Sequence, residues 1–369
     1  MLAIIADDLT GAGDAAVQFA QRGWRTFVTW GRNPSEVRGR NPDVIAVTTD
    51  SRALSNAEAE RLTFDALHDL VHAGADRAFL KIDSTMRGSI PGQIAGALAA
   101  WRERHPGARA IVCPAYPRME RTVESGRVLV SGTPVERTAI GRDPVTPVAT
   151  SDMSVLVPLS DSVMIADAAS DADLADVAGR VVSGGAGVFG VGSGGLAGAI
   201  AESLNVHGPA AARDPAKAGL DVRDYLRHDW ARKRKQGHRA RILLLVTSLN
   251  PVSRAQMAHL RERFPSVEIL ASPEGRVDSS NIADTLAARF RTAAGRQQWD
   301  LFGFVGGDGA RATLRALDAS AIRIIDSVVE GIPFGTISGG PFDGTFMFTK
   351  AGGFGREDAL VRVVERLSA

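Results

Sequence analysis

Short apolar runs alternate along the first half of this chain with longer stretches whose apolar residues recur every three to four positions. Leu2-Ala-Ile-Ile-Ala6 has the pattern of a buried strand, and residues 12–22 that of a helix with Ala16, Phe19 and Ala20 on one face. Residues 25–30 and 44–48 are strands by the same test. Residues 55–73 predict a long helix that Ser55 opens as N-cap, with Glu58 placed to complete a capping box. A strand at 77–82, a helix at 92–104 and a strand at 110–113 continue the alternation. Residues 163–166, 172–182 and 188–191 resume it as strand, helix and strand, with another helix after Gly195. This βαβα rhythm predicts an α/β fold: a mostly parallel sheet flanked by helices, with ligands beyond the C-terminal ends of the strands.

Two interruptions set the organisation. Residues 114–158 are rich in proline, glycine, threonine and arginine, and read as an extended excursion carrying a hairpin. Residues 206–239 end in the basic run Arg232-Lys-Arg-Lys-Gln-Gly-His-Arg239 and read as a solvated linker. Beyond it Ile242-Leu-Leu-Leu-Val246 begins a fresh α/β unit. Two domains are therefore expected, 1–205 and 240–369, and 369 residues are more than one ordinary core needs.

Composition narrows the partners. A net charge of +1 gives no hold on a nucleic acid or an acidic membrane, so neither is expected. The lone Cys113 allows no internal disulfide, and the N-terminus meets Asp7 and Asp8 with no basic segment before them, so a cytoplasmic location is expected. The uncharged stretch 181–201 is crowded with glycine and reads as strand, turn and helix rather than a membrane span. A homo-oligomer is compatible with all of this.

Two glycine turns dominate the second domain: Phe304-Val-Gly-Gly-Asp-Gly309 and Lys350-Ala-Gly-Gly-Phe-Gly355. Each follows an apolar strand, at 299–305 and 345–349, and the first also opens a helix. Bare N–H groups and a helix dipole then face an anion, and two such loops predict a polyphosphate pocket. The candidates are Gly306, Gly307, Asp308 and Gly309 in one turn, and Lys350, Gly352, Gly353, Phe354 and Gly355 in the other. Ser248, at the end of the 242–246 strand, is a further phosphate or base contact, and Ser253 is the expected cap of the next helix. Asp308 either holds Mg²⁺ through water or caps its helix. The chain has no GxxxxGK[ST] sequence, no Gly-x-Ser-x-Gly elbow and no His/Cys cluster, so no side chain is assigned as a direct metal ligand.

The first domain carries groups suited to a small acid. Of Asp7 and Asp8, one is expected to face the cleft and the other to hold the loop. Such a carboxylate orients a hydroxyl, accepts its proton, or caps the next helix. In Lys81-Ile-Asp-Ser-Thr-Met-Arg-Gly88, Lys81 and Asp83 share a face, and Ser84, Thr85 and Arg87 follow in the turn. A cation, a carboxylate and hydroxyls so close together fit a polyhydroxy acid, with a surface salt-bridge cluster as the plainer alternative. Arg52 is either a bidentate carboxylate clamp or a structural arginine. Gly190, Gly192 and Gly195 match the dinucleotide spacing, which leaves open an NAD-dependent oxidoreductase or, equally, close helix–strand packing.

Taken together these motifs resemble the four-carbon acid sugar kinase family, which phosphorylates threonate, erythronate and related tetronates. The resemblance runs nearly end to end, through Ala6-Asp-Asp-Leu-Thr-Gly11, the 81–88 segment, Arg142-Asp-Pro-Val-Thr-Pro147, Gly192-Ser-Gly-Gly195 and the 350–355 turn. It implies an N-terminal sugar-acid domain with contacts at Asp8, Arg52, Lys81, Asp83 and Ser84. It also implies a C-terminal ATP domain with contacts at Ser248 and in the turns at 306–309 and 352–355. Phosphoryl transfer to a hydroxyl, the terminal 4-OH being expected, would use Mg²⁺ and either Asp8 or Asp83 as the base, with no covalent residue. The family commonly has Gly-Gly-Glu-Thr where this chain has Gly306-Gly-Asp-Gly309, so a hydroxyl is missing at 309. A non-catalytic acid-binding protein remains the other alternative.

Overall fold

The first apolar run is β1 (Leu2–Ala6), buried along its whole length. The computed structural model describes residues 1–31, 35–207, 240–273 and 279–368. The predicted linker from 208 onward, with its basic run, lies outside the described residues. The chain forms two compact units, Met1–Arg213 and Asp214–Ala369.

In the first unit, β1 is followed by α1 (Leu9–Ala20), β2 (Thr26–Trp30), the short α2 (Ser35–Arg38) and β3 (Val44–Thr48). Then come α3 (Asn56–His72), β4 (Arg77–Lys81), α4 (Ile90–Arg102) and β5 (Arg109–Cys113). The 114–158 excursion carries the antiparallel strands β6 (Arg121–Glu124), β7 (Arg127–Val130) and β8 (Thr133–Pro134), then α5 (Met153–Leu156). The rhythm returns with β9 (Val163–Ile165), α6 (Asp171–Ser183), β10 (Val188–Gly192) and α7 (Gly194–His207). The main sheet runs β2-β3-β1-β4-β10-β5-β9, with parallel pairing throughout. From β1 the chain first builds to one side, then crosses to β4 on the other. Such a reversal opens a crevice at the strand ends, where ligands of α/β sheets bind.

Local choices agree with this plan. Ser55 and Glu58 make the predicted capping box at the start of α3. The α1 and α4 helices each begin earlier than their apolar spacing predicts, α1 because Asp8 caps it through Gly11 N–H. Where α3 crosses α4, a Cβ on Gly92 would lie 2.1 Å from the Asn56 carbonyl oxygen, and one on Gly96 2.2 Å from that of Glu60. The two backbones approach this closely only because both positions lack a side chain. The glycines of the dinucleotide-like spacing serve the same end. A Cβ on Gly192 would lie 2.2 Å from the Cys113 carbonyl oxygen, and one on Gly195 2.7 Å from that of Ala115. Cys113 itself is free and buried, and burial pushes its thiol pKa up to about 12.

The second unit contains β11 (Ile242–Val246), α8 (Pro251–Arg263), β12 (Glu268–Ala271), α9 (Ser279–Ala294) and β13 (Leu301–Val305). It continues with α10 (Gly307–Ala316), β14 (Ala321–Val329), β15 (Ile332–Ser338), β16 (Phe346–Lys350) and α11 (Ala359–Ser368). Its sheet runs β12-β11-β13-β16-β15-β14. β12, β11, β13 and β16 are parallel, whereas β15 pairs antiparallel with both β14 and β16. Periodicity gives no sign of this β14–β15 hairpin. Its core gathers Leu244, Val246, Leu260, Phe334, Phe348 and Leu360, and each such burial contributes about 1.5–3 kcal/mol. Among the described residues no helix is long and apolar enough to cross a membrane.

Candidate functional site

Three adjacent parallel strands, β3, β1 and β4, deliver the acid-binding candidates of the first unit to one edge. Asp7, fully buried, accepts two hydrogen bonds of 2.8 Å from Arg52, through Nε and Nη2. Arg52 Nη1 lies 2.6 Å from Asp8 Oδ2. The bidentate grip expected of Arg52 is thus made inside the protein, and its guanidinium ties the two aspartates together. Burial lifts the Asp7 pKa, against the pull of Arg52. Burial also works against the charge on Arg52, but Asp7, Asp8 and Asp83 outweigh it and hold the pKa well above the ordinary value. The side chain of Asp8 is 23% exposed, so it has one face toward solvent while it caps α1. Asp7 holds the loop and Asp8 faces outward, as strand alternation requires.

Asp83 is the hub of the 83–88 turn. It accepts from the Thr85 hydroxyl and, at 3.0 Å each, from Arg87 Nε and Nη2. Burial alone would raise its pKa, but Arg87 and Arg52 hold the carboxyl well below the usual carboxylate range. The turn needs this support because Met86 is buried at φ 62°, a left-handed conformation that side chains resist. A Cβ on Gly88 would lie 3.0 Å from the Arg52 carbonyl oxygen, so glycine there brings the two loops together. Arg87 also reaches Asp143 Oδ2 at 3.3 Å, which fastens the 142–147 segment over the turn.

Lys81 differs from its neighbours. It is 4% exposed, and its ammonium donates to the Ile82 carbonyl at 2.9 Å. Among the described residues no carboxylate lies within salt-bridge distance of it. A Cβ on Gly11 would lie 3.1 Å from Lys81 Nζ and 2.6 Å from Asp8 Oδ1, so this glycine leaves the space between cation and carboxylate open. A buried ammonium with spare N–H donors needs an anion or further acceptors. Ser84 is half-buried beside the cluster. Arg121, on the excursion, escaped the sequence reading. It lies within the electrostatic field of Asp83 and Arg87, and burial lowers its pKa. Its guanidinium bonds the Met119 carbonyl. Only its place one residue beyond the loop 114–120 gives it away, and spacing cannot show that.

In the second unit the ends of β11, β13 and β16 adjoin. Gly306, at φ 110°, is the N-cap of α10 and brings no side chain to bond the helix's first N–H groups. These donors suit a phosphate oxygen. Asp308 stands exposed in that first turn and does not cap it. A Cβ on Gly352 would lie 2.2 Å from Ser248 Oγ, whereas Gly353 would meet nothing nearer than Asn250 Nδ2 at 3.4 Å. Lys350 is fully buried, donates to the carbonyls of Ala351 at 2.9 Å and Gly352 at 3.4 Å, and has its pKa lowered to about 7 by burial. Phe354 lies beyond it, half-buried, and its carbonyl accepts from Gln256 at 3.1 Å. Asn250, not Ser253, caps α8; the Ser253 hydroxyl instead donates to the Gly352 carbonyl at 2.6 Å. On α3 the His68 and His72 rings lie 4.1 Å apart at centroid, tilted by 42°, and Glu103 lies 2.8 Å from His68 Nδ1. The sequence shows these histidines only as scattered.

Comparison with known proteins matches the two units separately. Residues 2–160 fit the model of a sugar-binding N-terminal domain, and residues 229–360 that of a nucleotide-binding C-terminal domain. A D-threonate kinase of Bordetella bronchiseptica is 35% identical over 99% of this chain and 97% of its own length. A D-erythronate kinase of Heliobacterium modesticaldum is 27% identical over 99% of this chain and 96% of its own. A solved structure from Bordetella bronchiseptica, described as a domain of unknown function with bound citrate and as a domain-swapped dimer, is 31% identical. It covers 100% of this chain and 98% of its own, with a TM-score of 0.50.

Proposed function

This chain belongs to the four-carbon acid sugar kinase family, and from that premise we propose that it transfers the γ-phosphoryl group of ATP to the terminal 4-OH of a four-carbon sugar acid. Threonate, erythronate and 3-oxo-tetronate are the candidate acceptors. The domains are 1–205 for the acid and 240–369 for the nucleotide, joined by a linker at 206–239. The observation that carries the reading is Lys81: a buried ammonium without a carboxylate partner among the described residues, where three strand ends meet. It binds the carboxylate of the acid, and Ser84 a hydroxyl. Arg52 and Arg87 act by fixing Asp7, Asp8 and Asp83. Asp8 is the better base: it has an exposed face, while Asp83 is locked by Arg87 and held far from a proton-accepting pKa.

The N–H groups of Gly307, Asp308 and Gly309, with Ser248 and the turn at 352–355, hold the triphosphate. They supply the positioning and charge neutralisation on which phosphoryl transfer depends. Asp308 would hold Mg²⁺ through water, and the ion would supply charge neutralisation at the phosphate oxygens when bound. We place the enzyme in the cytoplasm and allow it a homo-oligomeric state. The test is a panel of threonate, erythronate and 3-oxo-tetronate stereoisomers assayed for ATP consumption with Mg²⁺, and for NAD reduction as control. At least one acid should drive ATP turnover, and Lys81→Met should lower kcat/KM for it by about tenfold or more. ATP left unconsumed with every acid would refute the proposal.

A further inference from the structure

Thr247 follows directly on β11 and is half-buried. A Cβ on Gly309 would lie 2.2 Å from Thr247 Cγ2 and 2.3 Å from Thr247 Oγ1. One on Gly306 would lie 2.6 Å from the same oxygen. The Thr247 side chain therefore fills volume that positions 306 and 309 leave free by being glycine. A side chain at 309 and the threonine at 247 exclude each other. Gly309 belongs to the first turn of α10, where the N–H groups have no capping side chain. The Thr247 hydroxyl thus stands beside the donors that face the anion.

Its bond within the protein is weak. Thr247 Oγ1 lies 3.3 Å from the Val305 carbonyl, long for an O–H donor. A hydroxyl is a rotor and re-aims without moving the backbone. The next residue, Ser248, places its own hydroxyl against the second glycine turn. The two residues that directly follow β11 thus put one hydroxyl on each turn.

We infer that Thr247 is a nucleotide-binding residue, its hydroxyl donating to a phosphate oxygen from the place that a side chain at position 309 would otherwise occupy. The identity of the ligand rests on the kinase reading above. On binding, the Thr247 O–H turns from the Val305 carbonyl toward the phosphate. The hydroxyl absent from position 309 is supplied from the neighbouring strand instead.

Mg-ATP binding by calorimetry, thermal melting, and KM for both substrates test this on the full chain. Thr247→Ser should bind Mg-ATP as the parent does. Thr247→Val keeps the shape and loses the hydroxyl; it should melt as the parent, bind Mg-ATP about tenfold more weakly, and leave KM for the acid unchanged. Gly309→Thr alone should weaken Mg-ATP binding, because two side chains then compete for one space. Joined with Thr247→Gly it should recover to within about threefold of the parent, a coupling that independent sites do not show. Parental affinity in Thr247→Val, or a double variant no better than Gly309→Thr, would overturn the inference alone. A parent protein that binds no Mg-ATP would overturn the kinase reading together with it.

Discussion

Single residues in this protein act mainly by what they leave unpaired. Arg52 and Arg87 spend their charge on aspartates, which sets Lys81 and Arg121 apart as the cations near the acid site without an ion-pair partner among the described residues. Arg121→Met is expected to raise KM for the acid acceptor about tenfold with a smaller change in kcat, measured by steady-state kinetics at saturating Mg-ATP. Lys350 makes a different prediction. Burial lowers its pKa to about 7 from the ordinary lysine value of 10.5. Between these values the unfolded chain binds the proton and the folded chain does not, so this group makes stability rise with pH from about 7 to about 10.5. Urea melts of Lys350→Met against the parent should show the variant lacking this rise, which approaches ~1.4 kcal/mol per pH unit for one proton. The candidate residues were legible from chemistry at strand ends. Which of them pair with each other was not, because Arg52 meets Asp7 only once β1 and β3 lie side by side.

Elements follow the sequence where local physics decides and depart where packing does. The capping box at Ser55 and Glu58 is a local device and is visible in four residues. The β14–β15 hairpin is invisible to periodicity, since register shifts between Ile324 and Asp326 and between Ser327 and Val329 break the alternation along β14. The α3–α4 crossing depends on Gly92 and Gly96, whose packing role no apolar spacing shows. Gly96→Ala would force a methyl group onto the Glu60 carbonyl oxygen, built at 2.2 Å. The expected loss is about 1–3 kcal/mol in denaturant melts, with KM for ATP unchanged, since the proposed nucleotide site belongs to the other unit.

For the whole molecule, the α/β class and the repeated strand–helix rhythm were open to reading because strands such as β1, β3, β11 and β13, buried along their whole length, declare themselves as short apolar runs. Strand order was not, since the same runs permit many orders. It is the order that gathers Asp7, Asp8, Lys81, Arg52 and Asp83 at one crevice, and Thr247, Ser248, Gly306 and Gly352 at another. Cys113 lies at the end of β5, with β10 on one side and β9 on the other. Its sulfur is shielded, and it is the single thiol of the chain. The native protein should therefore resist alkylation by a maleimide dye, and become labelled only as β5 separates from its neighbours. Dye uptake that instead runs at the rate of a free thiol would contradict the burial of Cys113. Otherwise the chain arrives with its own clock: labelling speed under gentle warming reads how often the main sheet of the first unit comes open.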